Sequence, residues 1–277
     1  RLLRNRGDGS LPTVEPFEVF EIAWVLSNLA RAGERPKEAQ ALVRYLAQAL
    51  TDDGVGVASE GLRPDADDTA LTLMVLYEFG YPISAGPLRP FEGVSFFFTF
   101  PLERDASVTA NAHVLDVLRT VAAFPRQQLI QQKVIKYLRD ARVDGDHWVD
   151  KWHGSPFYAT AHAVFALLAP APELCEPAFR WFLDCQRPDG SWGWFDRGTA
   201  EETAYAVQAL SLAPEPFGSA RAAALERAAE YLNETANEPV TPMWIGKTLY
   251  GPVQVVRSAV LSAQILLTRS GHVRPAN

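Results

Sequence analysis

Apolar positions along the chain recur with the three-to-four-residue spacing of helices, and the apolar runs are of two kinds. Six runs are rich in small apolar residues, which predicts helices buried on most of their surface. They are Phe17–Leu29, Asp68–Phe79, Val108–Phe124, Tyr158–Leu168, Glu202–Leu212 and Val256–Leu267. Four runs between them carry a polar face, which predicts helices with one side in water. They are Pro36–Leu50, Arg126–Arg142, Glu173–Gln186 and Ser219–Glu234.

A degenerate unit of helix plus turn repeats along the chain. Each copy contains an Asp-Gly pair, and consecutive pairs are about 45 or about 91 residues apart. The copies are Leu2–Pro12, Tyr45–Gly54, Tyr137–Gly145 and Trp181–Gly190, with turns at Asp8, Asp53, Asp144 and Asp189 and a weak copy near Glu92. Six helical pairs of this length can close into a ring. The sequence therefore predicts an all-α protein, a single (α/α)6 double-helical barrel across residues 1–277.

Strand signals are almost absent from the chain. Only Val94–Phe100 has the composition of a strand, and Pro101 interrupts it. In a barrel of this kind the inner helices run parallel, so their N-terminal ends gather at one mouth. We expect six groups of residues, distant in sequence, to lie near that mouth: Asp65–Asp68, Asn111, His113, Tyr158, Glu202 and Arg257.

Composition narrows the function classes. The 277 residues include 48% hydrophobic ones, enough for a sizeable core, and the formal net charge is −7. No basic stripe offsets that charge, so binding to a nucleic-acid backbone is not expected. Cys175 and Cys185 lie about 15 Å apart on a continuous helix, too far for a disulfide. The sequence shows no transmembrane-length apolar run and no signal peptide, and we expect a reduced, cytoplasmic protein.

Asp65, Asp67 and Asp68 place three carboxyls within four positions at the start of a predicted buried helix. Charges this close raise one another's pKa values, and burial raises them further, so one carboxyl can stay protonated at neutral pH. Such a group can act as an acid without a metal. The same residues also suit the N-cap and first turn of a helix, where acidic side chains interact well with the helix dipole. Taken alone, the cluster favours that structural interpretation.

A second pattern favours the chemical interpretation. The segment from Ala178 to Trp194 reads AFRWFLDCQRPDGSWGW, and it is a full match to the QW motif of terpene cyclases. Asp65, Asp67 and Asp68 in turn resemble the DxDD motif of the class II terpene cyclases, which begin cyclisation by protonating an alkene. The resemblance implies the α-barrel that is called the β domain in that family. It also implies that Asp67 is the proton donor and that its two neighbours keep it protonated.

The stretch SVTANAHVL, from Ser107 to Leu115, resembles two branches of this family. Plant copalyl diphosphate synthases carry there an Asn that hydrogen-bonds the catalytic Asp, and Asn111 has the matching position. Squalene-hopene cyclases instead have a His at the position of His113. The resemblance therefore implies that Asn111, or in second place His113, holds the acid. Either side chain also suits a satisfied polar group at a helix start.

The segment MWIGKTLY, from Met243 to Tyr250, is nearly identical to one in class II diterpene cyclases whose Lys contacts the substrate diphosphate. This resemblance implies that role for Lys247, and a compact ammonium group suits a diphosphate oxygen. Arg257 is a second candidate for a phosphate contact, with an ion pair to Glu202 as the alternative. The stretch Asp150–Thr160 also resembles the family, without a defined role.

The resemblance implies cyclisation of geranylgeranyl diphosphate, an isoprenoid diphosphate, to a bicyclic copalyl-type diphosphate. Mg²⁺ is implied too, bound with the diphosphate, because the chain itself shows no metal motif and lacks the Asp-rich motifs of class I enzymes. Aromatic faces attract the cations formed in such a reaction. The aromatic candidates near the starts of inner helices are Trp24, Phe157, Tyr158, Trp194, Tyr205 and Trp244.

Three alternatives stay open at this point. A squalene-hopene-type triterpene cyclase shares the acid motif, a protein prenyltransferase β subunit shares the barrel, and a non-catalytic barrel scaffold requires neither motif. In class II diterpene cyclases the β barrel pairs with a second helical barrel, γ, and the substrate lies between them. The chain starts at Arg1 within a repeat unit and has no material for a second barrel. We therefore expect a fragment that lacks γ and the first helix, and that cyclises its substrate poorly on its own.

Overall fold

The computed structural model describes residues 17–121, 126–215 and 217–271. These residues fold into two units that divide between Ala141 and Arg142, and each unit is helical. The repeat unit predicted at Leu2–Pro12 lies outside the described residues. The predicted single barrel concerns both units together and stays a prediction.

The first unit contains five α-helices. They are α1 (Glu18–Arg31), α2 (Gln40–Ala49), α3 (Ala66–Glu78), α4 (Val108–Thr120) and α5 (Gln127–Asp140), with short 3₁₀ helices at Lys37–Ala39 and Gly86–Phe91. Helix α3 lies in the middle, because it packs against both α1 and α4. Helices α2 and α5 lie outside this group, where α2 contacts α1 and α3 and α5 contacts α4.

The second unit repeats this arrangement with five more helices and one small hairpin. The helices are α6 (Pro156–Leu167), α7 (Cys175–Asp184), α8 (Ala200–Leu210), α9 (Gly218–Thr235) and α10 (Val253–Arg269), with a 3₁₀ helix at Pro172–Leu174. Strands β1 (Trp244–Ile245) and β2 (Leu249–Tyr250) pair in antiparallel fashion. Helix α8 is central here and packs against α6 and α10, while α7 and α9 pack against it from outside.

Burial follows the two kinds of helix that the sequence predicts. All twelve residues of α6 are buried. Only three of the fourteen residues of α5 are buried, and they are spaced four apart on one face. The ten helices predicted from the sequence are therefore confirmed. The main difference is at α4, which ends at Thr120 rather than Phe124, and residues 122–125 are outside the described part.

The Asp-Gly turns are confirmed at three of the predicted places. Gly54, Gly145 and Gly190 have φ values of 97°, 84° and 85°, in the left-handed region where glycine carries no steric penalty. Each of these turns lies between a helix with one exposed face and the next buried helix along the chain.

The predicted strand at Val94–Phe100 is wrong. This segment makes only an isolated bridge between Glu92 and Phe97. The reason is that the backbone N–H and C=O of Phe97 both bond the side-chain amide of Asn111, at 2.8 and 2.9 Å, and so are not free for a partner strand. Within the described residues, a pair of strands forms instead in the segment 244–250, for which the sequence predicts no strand.

No helix within the described residues combines the length and the apolar character needed to cross a membrane.

Candidate active site

The N-terminus of α3 presents the three carboxyls of Asp65, Asp67 and Asp68. Asp65 is the N-cap, with extended backbone, and its side chain accepts a hydrogen bond of 2.8 Å from the backbone N–H of Asp68. The structural interpretation of the cluster is therefore correct for Asp65. It does not account for the other two carboxyls, which are buried as well.

Burial keeps two of these carboxyls from ionising readily. It raises the pKa of Asp65 from its ordinary value of 3.8 to about 7, and it raises the pKa of Asp68 well above its usual range. Hydrogen bonding from Asp68 partly offsets the raised pKa of Asp65, whereas the nearby Asp65 carboxyl raises the pKa of Asp68 further. Near neutral pH the surroundings of Asp67 therefore carry less negative charge than three aspartates would suggest.

Asp67 is the most accessible of the three carboxyls, with 12% of its side chain exposed. Its Oδ1 lies 2.5 Å from Nδ1 of His113, which is buried on α4. Trp24 of α1 meets the His113 ring edge-on, with 5.7 Å between ring centroids. Three neighbouring helices thus contribute to one site, and the imidazole holds one oxygen of Asp67 while the other is left for chemistry.

Asn111 does not hold the acid, and the expected order of Asn111 before His113 is reversed. The Asn111 side chain makes three hydrogen bonds, two with the backbone of Phe97 and one, 2.8 Å long, to the carbonyl of Ser107. Residues two apart on a helix point about 200° from each other, so only one of the pair can face α3. This geometric signal was available in the sequence and would have forced a choice between the two residues.

In the second unit, the proposed phosphate contacts are both exposed. Lys247 lies at the tip of the β1–β2 hairpin, and Arg257 lies in the first helical turns of α10. The alternative ion pair between Arg257 and Glu202 is not formed. Glu202 instead accepts hydrogen bonds from the hydroxyls of Ser155, at 2.6 Å, and Thr199, at 2.8 Å. The convergence of residues from both units on one mouth of a barrel stays a prediction.

The aromatic candidates of the second unit divide into two groups. Tyr158 is buried with its ring 5.1 Å from Tyr205 and 4.8 Å from Trp244, so these three residues form one aromatic cluster. Phe157 packs instead against Trp181 of α7, at 4.8 Å, as part of the core. The expectation that Phe157 lines the substrate site is therefore not supported.

The sequence analysis missed a polar group beside the aromatic cluster. Oε1 of Glu201 accepts a 2.8 Å hydrogen bond from Nε1 of Trp244, and Nε2 of His153 lies 3.3 Å from the same oxygen. The stretch around His153 had been noted without a role, and Glu201 had the pattern of an ordinary acid in the first turn of a helix. Nothing in the sequence indicated that its partner is a Trp 43 positions away.

Several known proteins are similar to this chain in sequence. No family model matches the chain. A type B diterpene cyclase from Mycobacterium tuberculosis is 37% identical over 273 residues, 95% of the chain, and a copalyl diphosphate synthase from Streptomyces anulatus is 39% identical over 276 residues, 96% of the chain. The chain is a homologue of bacterial diterpene cyclases. The family resemblance drawn from the motifs is thereby confirmed.

A solved diterpene cyclase structure supports the same assignment. The ent-copalyl diphosphate synthase from Streptomyces platensis is 35% identical and has a TM-score of 0.85 over 95% of this chain. This match confirms the all-α fold class of the terpene cyclases. A type II terpene cyclase from Scytonema, with 17% identity and a TM-score of 0.71, adds a likeness of fold alone.

The chain spans about half the length of the cyclases that it matches. It covers 54% of the Mycobacterium relative, 50% of the Streptomyces anulatus relative and 53% of the solved Streptomyces platensis chain. A labda-7,13-dienyl diphosphate synthase from Streptomyces clavuligerus, 39% identical, is covered to 51%.

Proposed function

We propose that the chain is the acid-bearing part of a class II diterpene cyclase that converts geranylgeranyl diphosphate into a bicyclic copalyl-type diphosphate. The observation that carries this proposal is the 2.5 Å contact between Asp67 and His113 at the buried start of α3. The names of the relatives support retention of the diphosphate, since three of them are diphosphate synthases.

Asp67 is the acid in this mechanism. An isolated alkene is a weak base, so the donor must be a strong acid held in a dry site. His113 Nδ1 donates to Oδ1, which leaves Oδ2 to carry the proton. The Oδ2–H bond breaks as the π electrons of the terminal alkene form a C–H bond at its CH carbon, and a tertiary cation remains on the adjacent carbon, which bears two methyl groups. The His113 N–H then stabilises the new carboxylate.

Asp65 and Asp68 favour this step electrostatically. Their raised pKa values reduce the negative charge beside Asp67 near neutral pH, which lowers the energetic cost of the charge that Asp67 gains when it gives up its proton. Two ring-forming attacks by further alkenes on the cation, followed by loss of one proton, give an isomer of the substrate. Asp67 must then regain a proton before the next turnover.

Aromatic rings stabilise the cations between these steps. Trp24 packs beside His113, the residue that contacts the acid. Tyr158, Tyr205 and Trp244 form the second group. A desolvated cation–π contact contributes about 2 kcal/mol. Two or three rings therefore stabilise the cation substantially without trapping it.

Lys247 binds the diphosphate in this proposal, with Arg257 as a second contact. Among the described residues, no group of three or more His, Cys, Asp or Glu side chains could hold a metal ion. The side chains of the described residues therefore offer no such cluster to a resident Mg²⁺. The proposed ion would be bound by diphosphate oxygens, and no step above depends on it.

A triterpene cyclase of the squalene-hopene type is the second candidate, and one observation favours it. The residue that contacts Asp67 is His113, which occupies the position resembling those cyclases, rather than Asn111. The identities to diphosphate synthases favour the first candidate. Incubation with geranylgeranyl diphosphate and, separately, with squalene tests the two. A bicyclic diphosphate supports our proposal, and a cyclised hydrocarbon from squalene alone would overturn it.

The proposal includes a partner domain. We infer that a second helical domain, γ, covers the acid site in the whole protein, since the chain spans about half the length of its relatives. A cytoplasmic location is also part of the proposal, because a diphosphate does not cross a bilayer unaided and must be used where it is made.

A further inference from the structure

The hairpin that carries Lys247 is very small. Each of its strands has two residues, and an isolated two-stranded hairpin is at best marginally stable in water. Leu249 on β2 is 61% exposed, so the outer strand adds little burial. The position of Lys247 therefore depends on what holds β1.

Backbone hydrogen bonds hold β1 on the side away from β2. The N–H of Ile245 donates to the carbonyl of Trp152 at 2.9 Å, and the carbonyl of Met243 accepts from the N–H of Gly154 at 2.7 Å. Strand β1 thus lies between β2 and the segment 152–154. These bonds fix the register of β1. Because they all lie along one edge of the strand, the hairpin can still rotate about its long axis.

The Trp244 side chain restricts this rotation of the hairpin. It is 3% exposed, and its Nε1 donates to Oε1 of Glu201 at 2.8 Å. His153 shares this carboxylate oxygen. The N–H of Ser155 donates to Nδ1 of His153 at 3.0 Å, which leaves the hydrogen of a neutral imidazole on Nε2, facing Glu201.

Glu201 occupies a costly position for a carboxylate. It is 2% exposed at the second position of α8, and among the residues that the structure describes its Oε2 has no hydrogen-bond partner. A buried carboxylate that is only partly satisfied is less stable than a well-packed apolar side chain would be. The adjacent Glu202 differs, because both of its oxygens are bonded, to Ser155 and Thr199 among others. The specific role open to Glu201 is orientation of Trp244.

We propose that Glu201 is a positioning residue for diphosphate binding. It holds Trp244, and through Trp244 the hairpin, so that the Lys247 ammonium is pre-organised for an anionic ligand. The inference rests on the proposed function, since it takes Lys247 as the diphosphate contact. Pre-organisation strengthens binding because less conformational entropy is lost when the ligand arrives.

The test is calorimetric binding of inorganic diphosphate to the 277-residue chain and its variants. Trp244→Phe removes the N–H donor and Glu201→Leu removes the acceptor at similar volume. Each should weaken binding roughly tenfold, as expected when a pre-organised contact is lost. Glu201→Gln retains an acceptor for Trp244 and should stay within about threefold of the unmodified chain. Glu202→Gln, a buried neighbour without contact to the hairpin, is the matched control and should leave the affinity unchanged.

A double-mutant cycle separates positioning from general destabilisation. In a Lys247→Ala background, Trp244→Phe should no longer change the diphosphate affinity, because it acts only through Lys247. Its effect on the unfolding midpoint should be the same in both backgrounds. Equal weakening of binding in both backgrounds would show a structural role only and would overturn the inference.

Two further outcomes decide between this inference and the proposed function. If Lys247→Ala weakens binding but the Trp244 and Glu201 variants do not, only the positioning role is wrong. If inorganic diphosphate does not bind, or Lys247→Ala binds it as well as the unmodified chain, the inference fails together with the role of Lys247. The protonation step is assayed separately, through the product formed by Asp67 variants.

Discussion

At the residue scale, the three carboxyls at the start of α3 have three different surroundings. Asp65 caps the helix, Asp68 is buried beside it with its pKa raised by that burial, and Asp67 reaches His113. A helix start is well suited to this combination, because it supplies backbone N–H groups to one carboxyl while a neighbouring helix contacts another. The helix-capping interpretation of the motif therefore concerns Asp65, whereas the proposed acid role concerns Asp67.

Asp67→Asn tests the acid directly. Asparagine keeps the shape and can still accept from His113, but it cannot deliver a proton, so turnover of geranylgeranyl diphosphate should fall by about 10³-fold or more, with little loss of stability. Product formation is measured with the whole protein. Asp116→Asn is the matched control, since Asp116 lies one turn beyond His113 on α4, and it should retain most of the activity. Undiminished bicyclic product from Asp67→Asn would exclude Asp67 as the donor.

Asp65→Asn should change how stability depends on pH. With a pKa of about 7 when folded and an ordinary value of 3.8, Asp65 binds more protons in the folded state between about pH 4 and pH 7. Its contribution is therefore fully present below pH 4 and is lost as the pH rises through 7. Asparagine caps the helix without ionising, so the stability of the variant relative to the unmodified chain should improve from pH 5 to pH 8, by an amount on the order of a few kcal/mol at most.

Urea unfolding at several pH values measures this effect. Asp189→Asn provides a control of opposite sign, because hydrogen bonding from Ser191 lowers the pKa of Asp189. An Asp with a lowered pKa contributes stability that is lost on acidification, so this variant should differ from the unmodified chain only at low pH. Parallel pH profiles for Asp65→Asn and the unmodified chain would contradict the burial of an ionisable Asp65.

The sequence analysis named both residues that meet at the start of α3, Asp67 and His113, but not the directions in which the side chains of α4 point. Asp67 and His113 were both candidates, because their types and spacing match known motifs. The preference for Asn111 was wrong, since motif similarity does not report which side of α4 faces α3. Glu201 was missed for a related reason: its role depends on Trp244, which the fold brings to it.

At the element scale, the helices were predictable and the strands were not. A helix follows from local periodicity and from an apolar face that must be buried, and both can be read along the sequence. A two-residue strand depends on a neighbouring segment that offers free backbone groups. The segment Val94–Phe100 has the composition of a strand but loses the backbone groups of Phe97 to Asn111. The strand β1 forms because segment 152–154 is free to pair with it.

Two of the Asp-Gly turns allow a matched test of what their glycines contribute. Gly190 and Gly145 have nearly the same φ, but a Cβ on Gly190 would lie 2.5 Å from the carbonyl oxygen of Arg227, whereas one on Gly145 would meet nothing within 4 Å. Gly145→Ala should therefore cost only the left-handed backbone penalty, about 1 kcal/mol. Gly190→Ala should cost about 2 to 4 kcal/mol, because the turn must also move away from α9. Equal losses in urea unfolding would contradict the close approach.

At the scale of the whole molecule, each unit exposes a few large apolar side chains. Val94 and Leu102 in the first unit are 96% and 91% exposed, and Phe195 in the second is also exposed. Because the chain spans about half the length of its relatives, the proposed function includes a further domain. A chain extended upstream to the length of its relatives should cyclise geranylgeranyl diphosphate much faster than the 277 residues alone, because an open site admits water that weakens the acid and captures cations.

Product yields from the two chains, compared at equal concentration, measure this effect. Thermal unfolding of both chains is the control, since the shorter one must be shown to be folded under the assay conditions. Equal rates of bicyclic product formation by the two chains would contradict the prediction that further sequence completes the site.

The contacts that hold the proposed acid and those that hold the proposed phosphate-binding hairpin lie in different units. Asp67 and His113 belong to the first unit, and Lys247, Trp244 and Glu201 belong to the second. Changes in one set therefore leave the contacts of the other unaltered. During divergence of such enzymes, the preferred head group of the substrate can change through the hairpin while the initiating proton transfer is inherited intact, and an engineer can alter head-group selectivity by the same route.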